Sequence, residues 1–207
     1  MPEFNHSANH RGLFVHVPKC GGLSMSAHFD RYYGHIPALE TRDQLARADG
    51  PKWKDYISFG FVREPCERLA SAYQYLVTMP ETHRFYCAKN AAQQKRLQKL
   101  SFEDFCSDLH SHTRGDLHFL PQYHWLCDIH GQAMVDHVGR FEHLDEDWQK
   151  ICAAAGIPHR RLAHTNRTAS RPACYLTDLY TPATMTAVVD FYRADYAIFG
   201  YDVPKVD

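Results

Sequence analysis

The sequence is poor in the features that would tie it to a membrane, a disulfide framework, a metal or a polyanion. No apolar run approaches the roughly 20 residues a bilayer requires, so no membrane partner is expected. The stretch 1–12 is polar, reads as neither leader nor anchor, and is expected to be flexible. Seven cysteines (Cys20, Cys66, Cys87, Cys106, Cys127, Cys152 and Cys174) are odd in number and dispersed, with no CxxC pair. That favours reduced thiols in the cytoplasm over a disulfide framework. Lys and Arg total 23 against 24 Asp and Glu, a net charge of −1, so no global field draws a nucleic acid, and any anion must be held by a local site. Histidines are plentiful at 15, and His110, His112, His118 and His124 cluster, but none has HExxH or another ligand spacing, so no metal is expected.

What is present fits one α/β domain over residues 1–207, since 207 residues with 44% hydrophobic content bury one sizeable core. Leu13 to Val17 reads as a buried strand running into Pro18 and a glycine pair, followed by a helix from about Ser24 to Tyr33 that stops at Gly34. Tyr56 to Val62 reads as a second core strand, and Pro65 opens a helix with Leu69, Ala72, Tyr73 and Leu76 on one face. Further on, the pattern predicts helices over Phe102 to Leu109, Asp145 to Ala155 and Pro182 to Arg193, and a strand over Val135 to Phe141. His110 to Gln122 reads mostly as loop, whose histidines, beside Phe119, Pro121, Gln122 and Tyr123, are candidates for lining an acceptor cleft.

Two strand-to-helix junctions carry anion chemistry. In His16-Val17-Pro18-Lys19-Cys20-Gly21-Gly22-Leu23-Ser24-Met25, backbone N–H groups and a helix start converge on one point, with a lysine charge and a serine hydroxyl added. Lys19 precedes the glycines, the reverse of the triphosphate loop GxxxxGK[ST], so an ATP-dependent kinase reading loses its main support. In Arg63-Glu64-Pro65-Cys66-Glu67-Arg68-Leu69-Ala70-Ser71-Ala72-Tyr73, Arg63 sits at a strand end and Ser71 two turns into a helix, and guanidinium is a natural phosphate fork. Two such junctions in consecutive units point to a ligand with two separated anionic groups.

These segments, HVPKCGGLS and REPCERLASAY, resemble the 5′-phosphosulfate loop (HIPKTGGTS) and the 3′-phosphate segment (RxPxxRxxSxY) of sulfotransferases. The match is similar to the carbohydrate O-sulfotransferase branch that includes the heparan sulfate 2-O type. Gly139-Arg140-Phe141-Glu142-His143-Leu144 and Asp195 to Tyr201 resemble that branch's GRFEnL and DyxxFGY segments, so the likeness runs from about residue 13 to 202. It implies a three-layer, P-loop-like fold with a mainly parallel sheet. It also implies a donor, 3′-phosphoadenosine 5′-phosphosulfate, whose sulfuryl group passes to a hydroxyl of a carbohydrate or small metabolite.

By the same resemblance, Lys19 faces the bridging oxygen, Cys20, Gly21, Gly22, Leu23, Ser24 and Met25 hold the 5′-phosphate, and Arg63 and Ser71 hold the 3′-phosphate, with Arg167 a further candidate in the loop that relatives fold over the nucleotide. Cys20 and Leu23 stand where the family has threonines. The acceptor needs a base, and a histidine titrates in the right range. His35 is the choice, since Tyr32-Tyr33-Gly34-His35 is similar to the YYHGH region of the 2-O branch, with Tyr33 in place of its first histidine. That replacement keeps a second reading open, a nucleotide-binding protein without catalysis. The Asn-x-Ser/Thr triplets at Asn5 and Asn166 are taken as chance.

Overall fold

The two apolar runs in the first third of the chain are its two central strands. A computed structural model of the chain describes residues 4–6, 11–29, 32–78, 88–162 and 179–205. Its strands are β1 (Asn5–His6), β2 (Gly12–Val15), β3 (Ile57–Val62) and β4 (His137–Arg140), joined in that order into one sheet. β2 and β3 run parallel, with Gly12 opposite Ile57 and Val15 opposite Gly60, and β3 and β4 run parallel with Val62 opposite Arg140. Strands covered on both faces need continuous rather than alternating apolar sequence, and Leu13–Val15 and Phe59–Val62 are buried throughout. Residues 5 and 6, inside the stretch expected to be flexible, form the antiparallel edge and pair with Phe14 and Leu13.

The period of two along β3 sorts its side chains onto two faces. Phe59 and Phe61 share one face, and Phe59 lies 5.8 Å from Trp148 of the helix α8 (Leu144–Ala155). Gly60 faces the other way, where a Cβ would stand 2.4 Å from Leu126 of the short helix α7 (Tyr123–Leu126). Helix, sheet and helix give the three layers and the mostly parallel sheet expected of the α/β class.

The remaining elements are α1 (Gly22–Ser26), α2 (Ala38–Arg47), α3 (Pro65–Thr78), α4 (Ala88–Leu97), α5 (Phe102–Ser107), α6 (Leu109–Gly115), α9 (Pro182–Phe191) and α10 (Arg193–Phe199), with short 3-10 turns at Trp53–Asp55, Leu117–Phe119 and Phe141–His143. Punctuation read from sequence holds at Pro65, at Pro182 and at Gly156, whose φ of 66° closes α8. Three expectations change. The first helix covers Gly22–Ser26 and not Ser24 to Tyr33, because Tyr33 and Gly34 bond to Asn5 in place of a helical turn. The segment read as loop from His110 contains α6 and a 3-10 turn, since Asp108 and Asp116 cap them through their side chains. The last helix breaks at Tyr192, whose hydroxyl donates to the Phe119 carbonyl at 2.7 Å.

The sequence reads as one domain; within it the chain divides into two compact units, Met1–Arg63 with Pro121–Ala169 and Glu64–Leu120 with Ser170–Asp207. The first holds the sheet. The second is helical, built around Leu69, Leu76, Phe105, Phe119 and Tyr192. Among the described residues no helix is long and apolar enough to cross a membrane.

Candidate functional site

In the first unit, β2, β3 and β4 are parallel neighbours, so their carboxyl ends deliver three segments to one edge of the sheet: the Lys19 loop, Arg63 and Phe141. Ligands of open α/β sheets bind at that edge. Lys19 is the one described non-glycine residue with positive φ, at 67°, and Gly21 follows at 84°. A lysine in the left-handed region costs about 1–2 kcal/mol, so this lysine is held against its backbone preference. Gly22 is required sterically, because a Cβ there would stand 1.7 Å from His16 Nε2. The amides of Ser24 and Met25 turn back to the Gly21 carbonyl at 3.0 and 3.2 Å, so these two of the candidate amides from Gly21 to Met25 already have an acceptor within the chain. Met25 is fully buried, and Leu23 and Ser24 are half-buried.

A glutamine missing from the sequence-based list joins the two anion segments. Gln122 is 0% exposed; its Nε2 donates to the Arg63 carbonyl at 2.8 Å, and its Oε1 accepts from the Arg63 amide at 2.8 Å and from Cys20 Sγ at 3.4 Å. It behaves as a strand partner for the end of β3 and a tether for the lysine loop, and it does not line a cleft. Phe119, beside the candidate loop histidines, is 0% exposed in the core of the second unit. The Arg63 guanidinium lies 4.6 Å above the Phe141 ring, a cation–π seat that steadies the fork.

His35 is fixed by two residues that sequence reading had set to other uses. Asn5, 1% exposed, accepts on Oδ1 from the amides of Tyr33 (2.6 Å) and Gly34 (3.1 Å), and donates from Nδ2 to the carbonyls of Gly34 (2.8 Å) and Phe14 (3.2 Å). A side chain so enclosed is no glycan acceptor; it pins the YYGH turn to β2. His35 Nδ1 then meets the His16 carbonyl at 3.2 Å. A carbonyl only accepts, so this contact calls for a proton on Nδ1, and in that neutral tautomer Nε2 is the accepting nitrogen. Trp125 meets the imidazole edge-on, with ring centroids 5.8 Å apart. Tyr33, in place of the family's first histidine, is 41% exposed. Removing the clasp by Asn5→Ala takes the acceptor from two part-buried amides and is expected to cost about 1–3 kcal/mol, read as a lower urea midpoint at unchanged m-value.

The second unit holds the rest of REPCERLASAY. Ser71 lies two turns into α3 and is half-buried. Glu64 caps α3 by accepting from the Glu67 amide at 2.7 Å, and accepts the Tyr196 hydroxyl at 2.6 Å. Burial, reinforced by the Glu64 charge, pushes the Cys66 thiol up to about 12, and burial pushes Cys106 up to about 12, so neither is a thiolate nucleophile at neutral pH. Arg68 is 0% exposed and donates to the carbonyls of His118 (3.0 Å) and Leu120 (2.8 Å). The clustered histidines have structural partners: His112 stacks on Phe105 and accepts from Arg96 at 2.8 Å, and His118 meets Asp116 at 2.6 Å. Burial, reinforced by the Arg96 charge, lowers the His112 pKa. Arg167 and the Asn166 triplet lie outside the described residues.

The family model described as "Sulfotransferase family" matches residues 2–202. Carbohydrate sulfotransferase 11 of Rattus norvegicus is 29% identical over 83% of this chain and 54% of its own length. Carbohydrate sulfotransferase 9 of Homo sapiens is 27% identical over 94% of the chain and 52% of its own, and carbohydrate sulfotransferase 14 of Homo sapiens is 29% identical over 97% and 60%. The chain thus spans little more than half the length of these curated relatives. No solved structure matches it.

Proposed function

The chain belongs to the sulfotransferase family, and on that premise we propose that it moves a sulfuryl group from 3′-phosphoadenosine 5′-phosphosulfate to a hydroxyl of a carbohydrate or other hydroxylated small molecule. One observation carries the reading: two anion-binding segments, Lys19 to Leu23 and Arg63, leave neighbouring parallel strands and are tied together by the buried Gln122 amide. The fit to the donor rests on the loop itself, with a lysine held in the left-handed region, a glycine whose place no Cβ can take, and first-turn amides as anion donors. Carbohydrate acceptors are what the printed names of the relatives describe, and the proposal carries that class to this chain.

The donor supplies an activated sulfur with bisphosphate as its leaving group. The protein's task is alignment and charge relief, as in phosphoryl transfer. His35 Nε2 takes the acceptor proton while the acceptor oxygen bonds to sulfur and the bond from sulfur to the 5′-phosphate oxygen breaks. The Lys19 ammonium neutralises the charge that appears on that oxygen, and the amides of Gly22 and Leu23 with the Ser24 hydroxyl hold the phosphate. Arg63 and Ser71 take the 3′-phosphate, the group that separates this donor from AMP or ATP, and Arg167 joins them in the proposal. The proton on His35 then leaves to solvent with the products. The proposal keeps the chain in the cytoplasm, where the five free, buried cysteines of the described residues would stay reduced.

The test is calorimetric titration with adenosine 3′,5′-bisphosphate, AMP and ATP. The expected result is preference for the bisphosphate, with a loss of about 2–3 kcal/mol of its binding in Arg63→Ala, the cost of removing a charge-assisted partner. Equal binding of all three nucleotides would overturn the reading. Bisphosphate binding without sulfated product across a broad acceptor panel would support the non-catalytic alternative.

A further inference from the structure

The imidazole of His16 stands between the donor loop and His35. It is buried at the end of β2 and stacks on Phe14 with ring centroids 5.5 Å apart. Its Nε2 edge fills the place where any Cβ on Gly22 would lie. Its Nδ1 is hydrogen-bonded to the Tyr32 hydroxyl, and its ring is packed on that of His35 with centroids 4.0 Å apart and 36° between planes. Its own carbonyl receives His35 Nδ1. One residue therefore touches the first-turn glycine of the anion loop, the base and the tyrosine three positions before the base.

We propose that His16 is a positioning residue for the acceptor base, the second imidazole of a pair that the sequence motif lacks because Tyr33 replaces its first histidine. The inference rests on the proposed role of His35. Two rings packed at 4.0 Å leave His35 little freedom to swing about its Nδ1 bond, which keeps Nε2 in one direction. The same ring abuts Gly22, so the shape of the anion loop and the aim of the base share one side chain. The backbone carbonyl survives any substitution at position 16, so the ring's contribution is separable from that of the hydrogen bond.

The experiment uses His16→Ala, His16→Phe and His35→Ala in the full-length chain, with three readouts: turnover, bisphosphate titration, and the imidazole resonances of His35 in nitrogen-15-histidine protein. The expected result is a fall in kcat of about 100-fold in His16→Ala, as for loss of an aligned base, with bisphosphate affinity within about threefold of the parent and the His35 resonances displaced. His16→Phe, which restores a ring against His35, recovers part of the loss. Turnover in His16→Ala close to the parent with unmoved His35 resonances overturns the proposal. A turnover loss matched by an equal loss of bisphosphate affinity also overturns it, since His16 then only shapes the donor loop. If His35→Ala keeps parental turnover, the base assignment fails instead, and the resonances alone then decide whether His16 sets the His35 ring.

Discussion

Lys19→Ala is expected to reduce turnover by about a thousandfold while weakening binding of the donor far less, because a preorganised cation aimed at a leaving-group oxygen acts where charge develops in the transition state and little before it. The backbone supports this assignment independently of the motif. Lys19 keeps φ at 67°, a conformation that glycine adopts at no cost and lysine does not, and the neighbouring Gly21 and Gly22 show that small residues are available to this loop. Lys19→Gly separates the two contributions: it is expected to lose turnover as Ala does but to gain about 0.5–1 kcal/mol of stability from relief of strain. Single-turnover kinetics and urea titration read the two effects. Turnover of Lys19→Ala within about tenfold of the parent would remove Lys19 from the chemical step.

Arg68→Ala is expected to cost about 3–5 kcal/mol, the largest stability effect of any single substitution considered, and to lower the thermal midpoint accordingly. The Arg68 guanidinium is wholly buried, donates to the His118 and Leu120 carbonyls and lies 5.2 Å from the Tyr192 ring centroid. Truncation removes the fork, leaves two carbonyls without donors and opens a cavity beside a tyrosine whose own hydroxyl is committed to Phe119. Arg68→Lys recovers little, since one ammonium on a flexible stem does not span both carbonyls as a planar fork does. The second arginine of RxPxxRxxSxY thus braces the 3-10 turn at Leu117–Phe119. A thermal midpoint unchanged in Arg68→Ala would show that the turn is held by other means.

The two candidate segments were legible as strand-to-helix junctions because such junctions are local. Pro18, Lys19 and the glycine pair announce a tight loop wherever the strand sits, and Pro65 opens its helix from the first turn, so both anion segments could be placed from sequence. The short α1 was misread because a run of helix-compatible residues from Ser24 onward does not reveal that Asn5, at a separation of 28 residues, binds the Tyr33 amide. Asn5 and Gln122 carry no local signature: a triplet and an ordinary loop glutamine become a clasp and a strand partner only when burial removes water as their alternative partner. His16 stood in the quoted motif, yet its contact with His35 needs the YYGH turn folded back onto β2.

The sequence by itself determined the family, the α/β class, the order of lysine and glycines that disfavours a triphosphate loop, and the chemistry of each candidate group, since these depend on residue type and short spacing. The tertiary structure alone decided that His35 Nδ1 meets the His16 carbonyl, that Gln122 joins the Lys19 loop to the end of β3, that Arg68 is a brace, and that the rings of His16 and His35 pack together. Those are contacts between residues from 19 to 102 positions apart, and a chain specifies them only through the closing of its sheet and the burial of the polar groups that this leaves without water.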